Sequence, residues 1–140
     1  MAIQFAQDAK NRIAEALAGA YSPTNGTNIA IFPNSVPFSS AYFLTAISGI
    51  IINATGVTMT RTNNRFSSNI RTVTATQSGT LGWFILGGGT SLSGTLASLS
   101  NGRFISDSIG LSGSGALLTV NTMDISPGTV VTLQFNLSII

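Results

Sequence analysis

The chain has 140 residues with no cysteine and no histidine, and it carries only six basic and four acidic residues. The lack of cysteine excludes disulfides, thiol nucleophiles and cysteine-based metal sites. The lack of histidine excludes an imidazole general base and every triad built on one. A catalytic carboxylate pair would have to come from Asp8, Glu15, Asp107 and Asp124. We therefore predict a binding or structural protein that is not an enzyme, with no cofactor and no metal.

The scarcity of charge also bears on the class of partner. Charged residues make up 7% of the chain, and the net charge is +2 at pH 7. The isoelectric point near 9.7 therefore reflects a few arginines in a nearly uncharged chain. Because affinity for DNA rises with the number of phosphates neutralised, we do not expect a nucleic-acid partner.

Hydroxyl and amide side chains take the place of charge. The sequence contains 18 Ser, 17 Thr and 11 Asn, while 44% of residues are hydrophobic and the mean hydropathy is +0.40. This apolar content is too high for a disordered chain. A folded protein with so little surface charge is prone to associate. We therefore expect partners to cover much of the surface in a permanent assembly.

Residues 1–20 form the only segment with helical periodicity. Phe5, Ile13 and Leu17 fall on one face, and Asp8 stands four residues before Arg12. The apolar side chains either pack on the chain's own domain or anchor a partner. The segment lacks the pattern of a signal peptide, and no apolar run is long enough to span a bilayer. We expect folding in a cytoplasm, without membrane contact.

Residues 21–140 have the pattern of a single β domain. In residues 129–139 the odd positions from 131 onward are apolar and the even ones polar, which predicts a half-buried antiparallel strand after a Ser126-Pro127-Gly128 turn. The other candidate strands are Asn28–Phe32, Tyr42–Ile47, Ile50–Asn53, Val57–Arg61, Ile70–Thr76, Leu81–Leu86, Leu96–Leu99, Arg103–Ser106 and Ala116–Val120. Many short strands separated by Gly-rich turns predict an antiparallel β-sandwich, of jelly-roll type, with one N-terminal helix.

Two groups of side chains are candidates for contact with a partner. Arg61, Arg65 and Arg71 form the one strongly charged stretch of the β region, with no acidic residue near them in sequence. They indicate either docking, on an acidic partner surface or a nucleic-acid backbone, or a solvated loop. Trp83 and Phe84 are consecutive in a predicted strand, so one should point inward and the other, as an interface anchor, outward.

The chain resembles a group of small structural proteins of tailed bacteriophages. The similarity lies in three short regions: Met1-Ala-Ile-Gln-Phe-Ala with Lys10-Asn-Arg-Ile-Ala-Glu-Ala-Leu17; Gly82-Trp-Phe-Ile-Leu86; and Gly113-Ser-Gly-Ala-Leu-Leu118, Asn121-Thr122, Ile125-Ser-Pro-Gly128 and Val131-Thr-Leu133 with Phe135. In that group an Arg followed by an acidic run often stands where this chain has Ile85 and Gly87-Gly88-Gly89. Any role of those charges is therefore not transferred.

The resemblance implies a capsid cement or decoration protein on the outside of the virion. Such a protein would bind the major capsid protein at capsomer junctions and would itself be a homo-oligomer, a dimer or a trimer. One alternative is a tail- or fibre-associated adhesin domain that binds a host-surface glycan. Another is a glycosidase, for which Asp107 and Asp124 are the only plausible carboxylate pair of the β region.

Overall fold

A computed structural model describes residues 6–20, 27–36, 50–88 and 104–139. Phe5 and the predicted strands Tyr42–Ile47 and Leu96–Leu99 lie outside these residues. The described chain is mainly β, with one helix at its beginning. Its elements are α1 (Gln7–Ala20), β1 (Thr27–Pro33), β2 (Ile52–Ala54), β3 (Met59–Thr62), β4 (Arg65–Ser68), β5 (Arg71–Thr74), β6 (Gly79–Gly88), β7 (Phe104–Leu111), β8 (Leu118–Val120), β9 (Asp124–Ile125) and β10 (Val130–Ser138).

The ten described strands join into one curled, mixed sheet that forms a half-barrel. Its strand order is β2-β1-β6-β7-β8-β10-β4-β3, with β5 also paired to β10 and β9 to β6. The mainly β prediction with one helix is confirmed, whereas a jelly-roll sandwich is not. The prediction of a wholly antiparallel arrangement is wrong, because β7 and β8 run parallel.

A tight loop at residues 112–117 explains the parallel pair. Parallel neighbours usually need a connection of about a dozen residues or more, yet here Leu118 already lies beside Ile109. Gly113 and Gly115 have φ values of 87° and 85°, which favour glycine and let the chain fold back on itself. A Cβ atom added at Gly110 would come within 3.0 Å of the Ala116 Cβ and closer still to the Ser114 hydroxyl. The loop therefore rests directly on β7.

The core fills the concave side of the sheet and is centred on β10. Phe135 makes edge-to-face contacts with Phe66 and Phe84, each at a ring-centroid distance of 6.0 Å. These three side chains are fully buried. The apolar positions predicted in residues 129–139 point inward at 131, 133 and 135, so that strand prediction is confirmed. The turn before it is also present, with a φ of 93° at Gly128.

Strands β1 and β6 are buried on both faces. Ile29, Ile31 and Phe84 belong to the main core cluster. Residues on the opposite face, including Phe32 and Trp83, are also buried but lie outside that cluster. This explains why both strands read as nearly continuous apolar runs instead of alternating ones.

Helix α1 packs against β3 and β4. Ala14 is fully buried, and Leu17 and Ala18 pack against the core cluster. On the exposed side, Arg12 Nε lies 2.9 Å from Asp8 Oδ2, as the spacing predicted. Within the described segments, no helix is both long enough and apolar enough to cross a membrane.

A β-bulge lies between β4 and β5, which pair one after the other with the same edge of β10. Leu137 lies opposite Phe66 in β4, whereas Leu133 lies opposite Arg71 in β5, so the register shifts by one residue between them. At this break the amide of Phe135 donates to Ser68 Oγ at 2.9 Å. Ser68 is a buried polar residue, 3% exposed, and its hydroxyl replaces a ladder hydrogen bond.

Replacing Ser68 with alanine should lower the free energy of unfolding by about 1–3 kcal/mol, because it leaves the buried amide of Phe135 without an acceptor. Urea denaturation measures the change. The matched control is Ser67→Ala on the outer face, which should change stability by less than about 0.5 kcal/mol. Equal effects of the two variants would contradict the role assigned to Ser68.

Candidate partner-binding site

The β3–β4 hairpin carries two exposed arginines. Thr62 pairs with Arg65 across a turn formed by Asn63 and Asn64, and Asn63 has a φ of 52°. Arg61 lies opposite Phe66, one residue pair further from the turn, and both Arg61 and Arg65 are exposed. The sequence pattern predicted a loop or docking segment here and gave no indication of β4. The Asn63-Asn64 pair is the local signal that could have revealed the turn.

Both arginines have neutral hydrogen-bond partners. Arg61 Nη1 donates to the backbone oxygen of Asn63 at 3.2 Å, and Arg65 Nε donates to Asn136 Oδ1 at 2.8 Å. Among the residues that the structure describes, the one salt bridge is that between Arg12 and Asp8. Two positive charges therefore stand at the hairpin without an ion-pair partner in the described part of the chain.

Arg71 occupies a different environment from the other two arginines. It is half-buried, and its Nη2 donates to the backbone oxygen of Thr55 at 2.8 Å. The Nε atom is buried and has no acceptor within the described part of the chain. The contact ties β5 to the chain segment that leaves β2, so Arg71 helps to hold the sheet in its curl.

The outer face of β4, β8 and β10 is formed by amides and hydroxyls. Gln134 lies opposite Thr119, and Asn136 lies opposite Ser67. Directly opposed residues in antiparallel strands share a face, so Ser138 and Arg65 belong to it as well. We call Ser67, Thr119, Gln134, Asn136 and Ser138 the amide–hydroxyl face. Among the described residues, Arg65 is the one charged residue hydrogen-bonded to a side chain of this face.

A groove of about 510 Å³ opens beside this face. Its lining comes from the end of β10, from Thr119 and Gln134, and from the loop of residues 112–117. Asn136, Leu137 and Ser138 all contribute, although alternate residues of a strand point to opposite faces. The groove must therefore run along the edge of β10, and we call it the β10-edge groove. None of its lining side chains is charged.

The predicted partner-contact residues lie on several elements of the fold. Arg61 and Arg65 share the hairpin, while Ile13 and Leu17 are half-buried on α1, with Leu17 packed against the core. Phe5 lies outside the described residues. The groove residues were not predicted from the sequence, because Ser, Thr and Asn are too abundant in this chain for any of them to stand out.

Trp83 is buried, which differs from the expected outward-facing anchor. Its ring stacks on Phe32 at 4.1 Å with an interplanar angle of 6°, and its Nε1 donates to the backbone oxygen of Val36 at 2.9 Å. Trp83 and Phe84 do point to opposite faces of β6, as alternation requires. Both are buried because β6 is covered on both faces.

The two carboxylates of the β region make separate local contacts. Asp124 Oδ1 accepts a hydrogen bond from Thr80, and Asp107 Oδ1 accepts one from the amide of Ser108. Asp124 lies opposite Thr80 and Asp107 lies opposite Phe84, so four residues of β6, or about 13 Å of strand, separate their positions. A glycosidase pair needs a separation of roughly 5–10 Å, so this register gives that alternative no support.

Across the described ranges, no three side chains of the His, Cys, Asp or Glu type come together as metal ligands. Comparison with protein-family models, with curated proteins and with solved structures found no match to this chain.

The buried position of Trp83, the single tryptophan, has a spectroscopic consequence. Its fluorescence should be poorly quenched by iodide in the native protein, and its emission should shift to the red when urea unfolds the chain. Trp83→Phe keeps an aromatic ring against Phe32 but removes the donor to Val36, and should cost about 1 kcal/mol of stability. Native quenching as strong as that of the unfolded chain would contradict the buried position.

Proposed function

We propose that this chain is a non-enzymatic structural protein of a tailed-bacteriophage virion, which decorates the outside of the capsid by binding the major capsid protein at capsomer junctions. The observation that carries the proposal is the pair of exposed guanidinium groups of Arg61 and Arg65 on the surface of the β3–β4 hairpin, held by neutral acceptors and without an ion-pair partner among the described residues. Such a surface complements an acidic patch on a partner. The resemblance to small phage structural proteins supports the same assignment.

The composition of the surface suits docking by large contact areas. Burying a charge without a partner is costly, whereas hydroxyls and amides can exchange water for hydrogen bonds across an interface. The amide–hydroxyl face can therefore be covered with little desolvation of charge. Because capsid sites repeat by symmetry, the proposal includes a homo-oligomer, a dimer or a trimer. It also includes a relationship of the fold to the jelly roll.

The adhesin alternative has less support from the described residues. A glycan platform commonly uses an exposed aromatic ring, but Trp83 is 4% exposed and the β10-edge groove has no aromatic residue in its lining. Glycan-array binding by the purified protein, together with failure to bind capsids, would favour the adhesin.

Co-sedimentation with empty capsids that lack this protein tests the proposal. Saturable binding is expected at a copy number near that of the major capsid protein, together with a higher capsid melting temperature. No binding, or only a few copies at a single vertex, would overturn the decoration role.

The double variant Arg61→Gln, Arg65→Gln should weaken capsid binding at least tenfold, about 1.4 kcal/mol, since it removes both exposed charges of the hairpin. The matched control is Lys10→Gln, Arg12→Gln, which removes the same charge from α1 and should change affinity less than threefold. Affinity of the unmodified protein should also fall as salt rises. Equal losses in the two double variants would contradict docking through the hairpin.

A further inference from the structure

The strand β10 is paired unequally along its two edges. On one edge β5 and β4 together cover it from Val130 to Ser138, with only the bulge between them. On the other edge the β8 ladder covers residues 133–135, and Asn121 binds the backbone of Val130 and Thr132, so this edge is covered only as far as Asn136 by the described residues. The chain before β8 leaves this edge at Leu117, whose oxygen accepts the amide of Asn136.

The hydrogen bond from the amide of Asn136 to the oxygen of Leu117 shows which way the backbone groups of β10 point. The amide of Asn136 points toward β8, and the groups of alternate residues along a strand point the same way. The amide and carbonyl of Ser138, and the carbonyl of Asn136, therefore face the β10-edge groove. In contrast, the amide of Ile139 points to the opposite edge, where it donates to Asn64. Among the residues that the structure describes, none pairs with this end of β10, which thus presents an open strand edge inside a groove.

We propose that the β10-edge groove binds an extended, acidic segment of the partner protein, which adds to β10 as a strand collinear with β8. This inference rests on the proposed function, since it states how the capsid protein would be held. Strand addition of this kind takes its affinity from backbone hydrogen bonds and its specificity from flanking pockets. The backbone groups of Asn136 and Ser138 that face the groove supply the hydrogen bonds, and the groove lining supplies the specificity.

The positive charge at the margin of the β10-edge groove favours an acidic segment of the partner. The lining has no charged side chain, and Arg65 lies at its margin through the hydrogen bond to Asn136. A guanidinium carries five N–H donors, and only Nε of Arg65 is used in that bond. The Nη groups of Arg65, which have no partner in the described chain, can bind a carboxylate bidentately. A residue opposite Ser138 in the added strand would share the face of Arg65.

The shape of the groove favours a single extended segment over the edge of a second copy. The loop of residues 112–117 forms one wall, and Gly110 lets that loop rest directly on β7. A second sheet edge would bring its neighbouring strands against this wall, whereas an isolated segment would not.

The first experiment uses the full chain and a display library of random heptapeptides. Selection should enrich peptides that contain an acidic residue. Binding of a synthetic enriched peptide should fall at least tenfold when alternate backbone amides are methylated. Ser112→Trp places a large side chain in the groove from an exposed position and should abolish binding. Ser78→Trp, at an exposed position outside the groove, is the matched control and should bind like the unmodified protein.

A second pair of variants isolates the backbone amide. Ser138→Pro removes the N–H group that faces the groove and should weaken peptide binding at least tenfold, while Ser138→Ala keeps it and should stay within threefold. Thermal melting shows whether the proline variant is folded, and Ser112→Trp tests the same groove if it is not. Failure to enrich any peptide, equal binding by Ser112→Trp and Ser78→Trp, or binding of neutral glycans alone would overturn the inference.

Capsid co-sedimentation of the same variants separates the two proposals. Capsid binding that survives Ser112→Trp would leave decoration intact and overturn strand addition. Groove-dependent peptide binding without any capsid binding would keep strand addition and reject the capsid as partner. Loss of capsid binding in Ser112→Trp, but not in Ser78→Trp, is the result expected if both are correct.

Discussion

The pairing of β10 determines most of the described structure. This one strand joins β8 on one edge to β4 and β5 on the other, and Phe135 at its centre contacts Phe66 and Phe84 from two other strands. The bulge at Ser68 bends the sheet next to that aromatic cluster, as bulges do. The same strand then extends past β8, and its uncovered end forms the groove. The curl of the sheet, its core and the candidate site therefore all depend on β10.

Charge scarcity and the proposed mode of binding are consistent with each other. With so few ionisable groups, the protein cannot rely on a broad electrostatic field to find a partner, and in the proposed mode of binding two exposed guanidinium groups provide local selection instead. Backbone groups at a strand edge offer hydrogen bonds that need no side-chain charge at all. A protein of this composition can in this way bind specifically while most of its interface remains neutral.

The sequence predicted the features that depend on neighbouring residues. The alternation in residues 129–139 and the Ser126-Pro127-Gly128 turn are local patterns, and both are present in the structure. Strand β4 was missed because its only apolar residue, Phe66, gains its burial from distant Phe135. Long-range packing also gives Arg71 a different environment from Arg61 and Arg65. The spacing of these residues in the sequence does not reveal that difference.

The candidate site was less accessible to sequence reasoning than the fold. Gly113 and Gly115 predicted a turn, but nothing in their spacing indicated that the chain would return parallel to β7. The groove exists only because of that return. Its polar lining residues are of the commonest types in the chain, so their importance comes from position and not from identity.

The loop of residues 112–117 has a consequence for how this fold can diversify. Both of its ends are fixed, by the bond from Ser112 to Val120 and by that from Asn136 to Leu117. Insertions between these anchors would widen or narrow one wall of the groove without shifting the register of the sheet. Loops with fixed ends tolerate such length changes at small entropic cost. Evolution could thus exchange one recognised segment for another while the scaffold stays constant.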